Sequence, residues 1–160
     1  MGKTAIFPGT FDPLTLGHEQ IIGRLLRLFD SVIVVVANNT GKKAFMKPED
    51  RVSAIQTALS AHQRVQVMQF SGLLVDFVST IKDAVVVRGV RSVNDYLYEH
   101  DRAMMNQAMM QGFETLFLPA APKYSSLSST LVREILWLKG DASQFLSKSM
   151  HEFIKEYYGA

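Results

Sequence analysis

No cysteine occurs among the 160 residues. That excludes disulfides and thiolate metal sites, and a reducing cytosol is the expected setting. Charge of one sign is scarce too: the formal net charge is +2, with 20% of residues charged. So small an excess does not argue for nucleic acid or an anionic membrane as a partner. No apolar run approaches the roughly 20 residues that a membrane helix needs; the longest clear one is Val32 to Ala37. Met1-Gly2-Lys3-Thr4-Ala5-Ile6 lacks a secretory apolar region, and lacks the serine or threonine that a myristoylation signal would place at Ile6. The expectation is a soluble, untargeted chain. Familiar phosphate fingerprints are missing as well. There is no G-x-G-x-x-G, and Gly41-Lys42 cannot close a Walker motif because Val36 stands where its first glycine belongs.

What is present is a regular alternation. Short β-rich runs at Ala5–Phe7, Ser31–Ala37, Arg64–Phe70, Ala84–Arg88 and Glu114–Leu118 predict five strands. The run SVIVVVA is continuous and β-branched, as a strand buried on both faces should be. Between the runs lie helical patterns over His18–Phe29, Pro48–His62, Gly72–Lys82 and Val93–Gln111, with two more helices from Ser128 to the end. Ile21, Ile22, Leu25, Leu26 and Phe29 share one helical face. Repeated βα units predict an α/β fold: one domain over residues 1–160, with a Rossmann-like five-stranded parallel sheet and helices on both faces. In such sheets ligands bind at the carboxyl ends of strands, so chemistry belongs in the loops that follow them.

The first such loop reads Pro8-Gly9-Thr10-Phe11-Asp12-Pro13-Leu14-Thr15-Leu16-Gly17-His18. Gly9 and Gly17 permit close backbone approach or positive φ. Thr10 offers a hydroxyl. His18 falls in the first turn of a helix, where free N–H groups and the dipole favour an anion. The plain alternative is a turn with two glycines and a surface histidine.

Gly9-Thr10-Phe11-Asp12-Pro13 followed by Thr15-Leu16-Gly17-His18 resembles the nucleotidylyltransferase superfamily, whose signature is a (T/H)-x-G-H box. In that superfamily the box binds ATP phosphates and its last histidine stabilises the transition state. Thr15 as the first box residue, after Pro8-Gly9-Thr10-Phe11-Asp12-Pro13, is similar to the phosphopantetheine adenylyltransferase family. A second segment, Tyr124-Ser125-Ser126-Leu127-Ser128-Ser129-Thr130-Leu131-Val132-Arg133, carries five serine and threonine hydroxyls at the approach to a helix. Alone it reads as capping. Beside the first motif it resembles the superfamily's I-S-S-T-x-x-R box, with Leu127 in place of isoleucine.

The cations divide differently. Lys42 sits after the second strand beside Lys43, and on its own reads as a solvated lysine. Arg88 closes a buried Val85-Val86-Val87 run, where an arginine is costly unless it meets an anion or pairs. The resemblance implies that Lys42, Arg88 and Arg91 contact acceptor phosphate and ATP, and that Thr10 is shared by both substrates. It further implies nucleotide contacts for Phe11, His18, Gly89, Val90, Glu99 and the Tyr124–Thr130 loop, and an apolar contact from Leu74 to the pantetheine arm. The helix carrying Tyr98-Glu99 and Met105-Asn106 would help line the acceptor pocket. Trp137 departs from the family, some members of which have a basic residue there.

The implied reaction is adenylyl transfer from ATP to 4′-phosphopantetheine. His18, Lys42 and Arg91 are its expected catalytic residues, and Mg²⁺ is expected to arrive with the nucleotide, through few or no dedicated carboxylates. Asp12 reads as structural. A homohexamer and feedback binding of coenzyme A are implied by resemblance only. His62, His100 and His151 are scattered, and no spacing supports a fixed metal site. Met104, Met105, Met109 and Met110 form a stripe suited to core or interface packing. Two rivals remain open: a sister enzyme using nicotinate mononucleotide or CTP, and a non-catalytic nucleotide sensor.

Overall fold

The computed structural model describes residues 2–38 and 44–159. Its elements are β1 (Thr4–Gly9), α1 (Leu16–Leu28), β2 (Ser31–Ala37), α2 (Pro48–Ala58), β3 (Val65–Phe70), α3 (Leu74–Ser79), β4 (Ala84–Val90), α4 (Val93–Met109), β5 (Thr115–Pro119), α5 (Ser129–Trp137) and α6 (Lys148–Tyr158). Two 3₁₀ turns flank α5, at Pro122–Tyr124 and Ser143–Phe145. The five strands form one parallel sheet in the order β3-β2-β1-β4-β5.

Alternation along β2 explains the layering. Val32, Val34 and Val36 enter one buried cluster with α1, α2, α5 and α6, while Ile33 and Val35 enter the other with α3. Both faces of this strand are therefore dry, as its unbroken β-branched run requires. Among the described residues no helix is long and apolar enough to cross a membrane.

Chain order reverses between β1 and β4, and there the sheet splits. β1 pairs with β4 only over Thr4–Ile6, but with β2 through Gly9. Pro8 is tolerated in this central strand because only its β2 edge still carries a ladder. The crevice that opens past Ile6 lies at the carboxyl ends of the strands, at the topological switch point.

Several boundaries differ from the sequence expectation. β1 runs on through Pro8 and Gly9, which read as loop residues. β4 runs on to Val90, paired with Pro119, so Arg88 and Gly89 stand inside the strand rather than at or beyond its end. α3 has only six residues because Gly72, at φ 126°, delays its start and tight bonds at Thr80 and Ile81 close it. α2 stops at Ala58, and residues 59–62 make turns instead. The methionine stripe is not core: Met104, Met105 and Met109 are exposed on α4, and only Met110 packs against the second cluster.

Candidate active site

Two cavities open from the split. The first, about 280 Å³, is walled by the β1–α1 loop, the start of α1, the end of β4 and the start of α5. The second, about 260 Å³, lies between the strand ends and the inner face of α4. Pro8, Gly9, Thr10 and Arg88 belong to both walls. The two cavities therefore share a border at Thr10 and Arg88.

Charge in the first cavity is lopsided. Arg51, Arg88, Arg91 and Arg133 face it with one carboxylate, that of Asp12. Asp12 is structural: its two oxygens accept from the backbone N–H groups of Phe45 (2.7 Å) and Met46 (2.8 Å). The starts of α1 and α5 also converge here, through Gly17 and His18 and through Ser128 to Thr130. First-turn N–H groups lack intrahelical partners and carry the positive end of the dipole. Such a wall suits a polyanion.

His18 is poised as a neutral donor. The Thr15 backbone N–H donates to its Nδ1 at 3.0 Å, and Thr15 Oγ1 lies 3.1 Å from the same nitrogen. A backbone N–H can only donate, so Nδ1 is the acceptor and the ring proton resides on Nε2. Desolvation, helped by the Arg91 charge, lowers the His18 pKa from 6.5 to about 4. The ring meets Phe11 edge-on, with centroids 5.1 Å apart. Phe11 itself holds φ at 47°, a left-handed conformation that costs a side-chain-bearing residue about 1 kcal/mol or more. Gly9 makes room for that ring: a Cβ there would lie 2.8 Å from it. Neither Gly9 nor Gly17 has positive φ, and a Cβ at Gly17 would meet Tyr124 at an ordinary 3.5 Å.

The arginines are held by neighbours. Arg88 makes a two-pronged ion pair with Glu99 (2.6 and 2.8 Å) and donates to the Pro8 carbonyl at 2.7 Å. That carbonyl is one the shortened β1–β4 ladder leaves free. Arg91 pairs with Asp95 at 2.8 Å and donates to the Leu127 carbonyl at 3.1 Å. Asp95 and Glu99, four apart on α4, thus orient the two guanidiniums.

The second box caps α5 and also ties it to the first loop. Ser128 Oγ accepts from the Leu131 N–H, Ser129 Oγ donates to the Pro13 carbonyl, and Thr130 Oγ1 accepts from Arg133. Arg133 also donates to the Asp12 carbonyl, so the two motifs are bonded to each other.

A cytidylyltransferase-like family model matches residues 6–135. The chain is 45% identical over 157 residues to the phosphopantetheine adenylyltransferase of Janthinobacterium sp. (strain Marseille), an alignment covering 98% of each protein. It is 42% identical over 156 residues to that of Paraburkholderia xenovorans (strain LB400), covering 98% of this chain and 91% of the relative. The chain belongs to the phosphopantetheine adenylyltransferase family. A putative nicotinate-nucleotide adenylyltransferase from Vibrio parahaemolyticus superposes with a TM-score of 0.71 at 18% identity, over 96% of this chain and 99% of that one. A bifunctional NMN adenylyltransferase/ADP ribose pyrophosphatase from Francisella tularensis gives 0.78 at 14% identity, over all of this chain and 51% of that one. These two share its fold.

The structure gathers most of the anticipated residues. Thr10, Phe11, His18, Gly89, Arg91, Tyr124, Leu127, Ser128, Ser129 and Thr130 wall the first cavity, and Leu74 the second. Glu99 is placed differently from the nucleotide contact foreseen: it faces the second cavity, clamped to Arg88. Val90, Ser125 and Ser126 are not part of the first wall, and Ser125 Oγ donates to the Pro122 carbonyl. Asn106 lines the second cavity, whereas Tyr98 is largely exposed. Lys42 lies outside the described residues. Arg51 was missed, although it falls on the same helical face as the buried Ala54 and Ile55. A cation on an apolar stripe is the signal that could have found it.

Proposed function

We propose that this protein transfers the adenylyl group of ATP to 4′-phosphopantetheine, forming dephospho-coenzyme A and pyrophosphate. The observation that carries the reading is the meeting of two cavities at Thr10 and Arg88, one polycationic and the other flanked by Leu73, Leu74 and Phe70. The first suits a nucleoside triphosphate, the second a phosphate on an extended arm of mixed polarity, since Arg102 and Asn106 join the apolar residues in its wall.

An acceptor phosphate oxygen attacks the α-phosphorus of ATP, and the bond from that phosphorus to the bridging oxygen of the β-phosphate breaks. The nucleophile is already an anion, so no base need remove a proton. The barrier is repulsion between two anions and charge growing on the α-phosphate and leaving group. Positioning and fixed positive charge supply most of the catalysis. We assign His18 Nε2–H and the start of α1 to the developing charge. Arg88 and Lys42 take the acceptor phosphate. Arg91 and the start of α5 take the triphosphate.

Mg²⁺ enters with the nucleotide in this reading. Among the described residues no group of three His, Cys, Asp or Glu is arranged for an ion, and Asp12 is committed to backbone amides. Bound to phosphate oxygens, the ion would screen their charge. A homohexamer in the cytoplasm, subject to feedback by coenzyme A, completes the proposal. The apolar outer face of α4, with Val93, Leu97 and Met105 exposed, supports self-association. The test is a panel of 4′-phosphopantetheine, nicotinate mononucleotide and phosphorylated alcohols, each with ATP and with CTP, scored by pyrophosphate release. Release with ATP and 4′-phosphopantetheine is the expected result. Release only with another pair would reassign the enzyme, and nucleotide binding without release would favour a sensor.

A further inference from the structure

Arg51 is the largest fully buried side chain of the described protein, 2% exposed, and it carries a permanent charge. It reaches the first cavity from α2, the helix on the far side of β2 from β4. One terminal nitrogen, Nη1, donates to the Thr10 carbonyl at 2.8 Å and the Ala37 carbonyl at 3.3 Å. Thr10 lines both cavities and Ala37 the second. Its Nε is buried without a hydrogen-bond partner, and so is the Nε of Arg133.

Charge counting makes this arrangement unusual. A buried arginine ordinarily pairs with a carboxylate. Among the described residues Arg51 forms no ion pair. The largest anionic influence on it is Asp12, with Glu49 next, and Asp12 is shared with Arg133, whose Nη1 lies 4.0 Å from its Oδ2. Two guanidiniums thus stand over one carboxylate whose oxygens already serve two backbone amides. A core evolved only for stability gains nothing from an excess cation there. A site that receives a polyanion does.

We propose that Arg51 is a positioning residue of the transfer site. Its buried charge, in excess of Asp12, is neutralised by the phosphates of the nucleotide, and its Nη1 holds the Thr10 backbone at the junction of the two cavities. It acts through the field of its charge and through Thr10, not by taking part in bond making. The inference rests on ATP as the ligand of the first cavity.

Two substitutions in the full-length protein separate charge from geometry. Arg51→Gln removes the charge and keeps a donor. Arg51→Lys keeps the charge but replaces the planar guanidinium with an ammonium on a different stem. ATP affinity by calorimetry, kcat for dephospho-coenzyme A formation and Tm are measured for each. Arg51→Gln should weaken ATP binding about tenfold, equivalent to about 1.4 kcal/mol. Arg51→Lys should bind ATP within about threefold of wild type yet lose about tenfold in kcat. A purely structural arginine would lower Tm in both variants while leaving the affinity and kcat of the folded protein unchanged, and that result overturns the proposal. Equal weakening of ATP binding in both overturns it too. If Arg51→Gln does not fold, the lysine variant decides alone: a tenfold loss of ATP affinity, or an unchanged kcat, refutes it. Wild-type protein that binds no ATP would fault the reading of the cavity itself, and this inference would fall with it.

Discussion

The state of His18 can be tested without any substrate. Its Nδ1 accepts from a backbone N–H, and an imidazolium would place a second proton against that donor. Burial and Arg91 act in the same direction, and the pKa falls from 6.5 to about 4. A drop of about 2.5 units corresponds to about 3 kcal/mol of preference for the neutral ring. This is an upper limit, because the ring borders an open cavity. The sign follows from linkage. Between pH 6.5 and 4 the unfolded chain takes up a proton at this residue and the folded protein does not. The contribution is therefore complete above pH 6.5 and is lost as pH falls toward 4. Nitrogen-edited NMR of the imidazoles, with His18 assigned by loss of its signals in a His18→Gln variant, reads both quantities. The His18 signals should show the Nε2-protonated neutral tautomer and remain unchanged from pH 8 to 5. Titration with a midpoint between 6 and 7, or a proton on Nδ1, would refute the reasoning. Catalysis follows the same logic: His18→Ala should lower kcat roughly 10²–10³-fold with modest change in ATP affinity, the scale of one preorganised donor. Wild-type turnover by that variant would remove His18 from the mechanism.

Three other substitutions probe the supports of the site. Glu99→Gln keeps the shape of the Arg88 clamp but removes its charge, so kcat/KM for 4′-phosphopantetheine should fall about tenfold while ATP affinity holds; equal losses for both substrates would contradict the assignment. Gly9→Ala forces a methyl against the Phe11 ring and should cost about 1–3 kcal/mol, read as a lowered midpoint in urea. Tyr158→Phe removes a hydroxyl that donates to Asp50 and accepts from the Lys47 N–H, fastening α6 to α2, and should cost about 1 kcal/mol in thermal or urea unfolding.

Much of this was legible in the sequence for identifiable reasons. The SVIVVVA run is what a doubly buried strand requires, and five β-rich runs separated by amphipathic stretches lead to a parallel sheet. The two boxes stand 110 residues apart in the chain, Thr10-to-His18 against Ser128-to-Arg133, yet they share one cavity because β1 and β4 part at the switch point. What was hidden depends on pairing across that distance. Pro8 and Gly9 read as loop, since nothing local shows that β2 still carries the ladder beside them. Arg88 read as needing an anion or a pairing partner, and the sequence did not show that Glu99, nearly two turns into α4, is that partner. Capping was legible at Ser128, whose Oγ accepts from the Leu131 N–H, but the bond from Ser129 to the distant Pro13 carbonyl was not. The methionines of α4 stay exposed because that helix buries only Ala103, while α3, Phe113 and Met110 fill the second cluster.

The central claim is that two phosphates meet at the junction of Thr10 and Arg88 and exchange an adenylyl group. Phosphorus NMR of the wild-type protein with ATP, Mg²⁺ and 4′-phosphopantetheine measures this most directly. The account predicts loss of the phosphomonoester signal, two coupled resonances from a new pyrophosphate diester, and an equal amount of inorganic pyrophosphate. Formation of ADP or inorganic phosphate instead, or an unconsumed phosphomonoester, would contradict it.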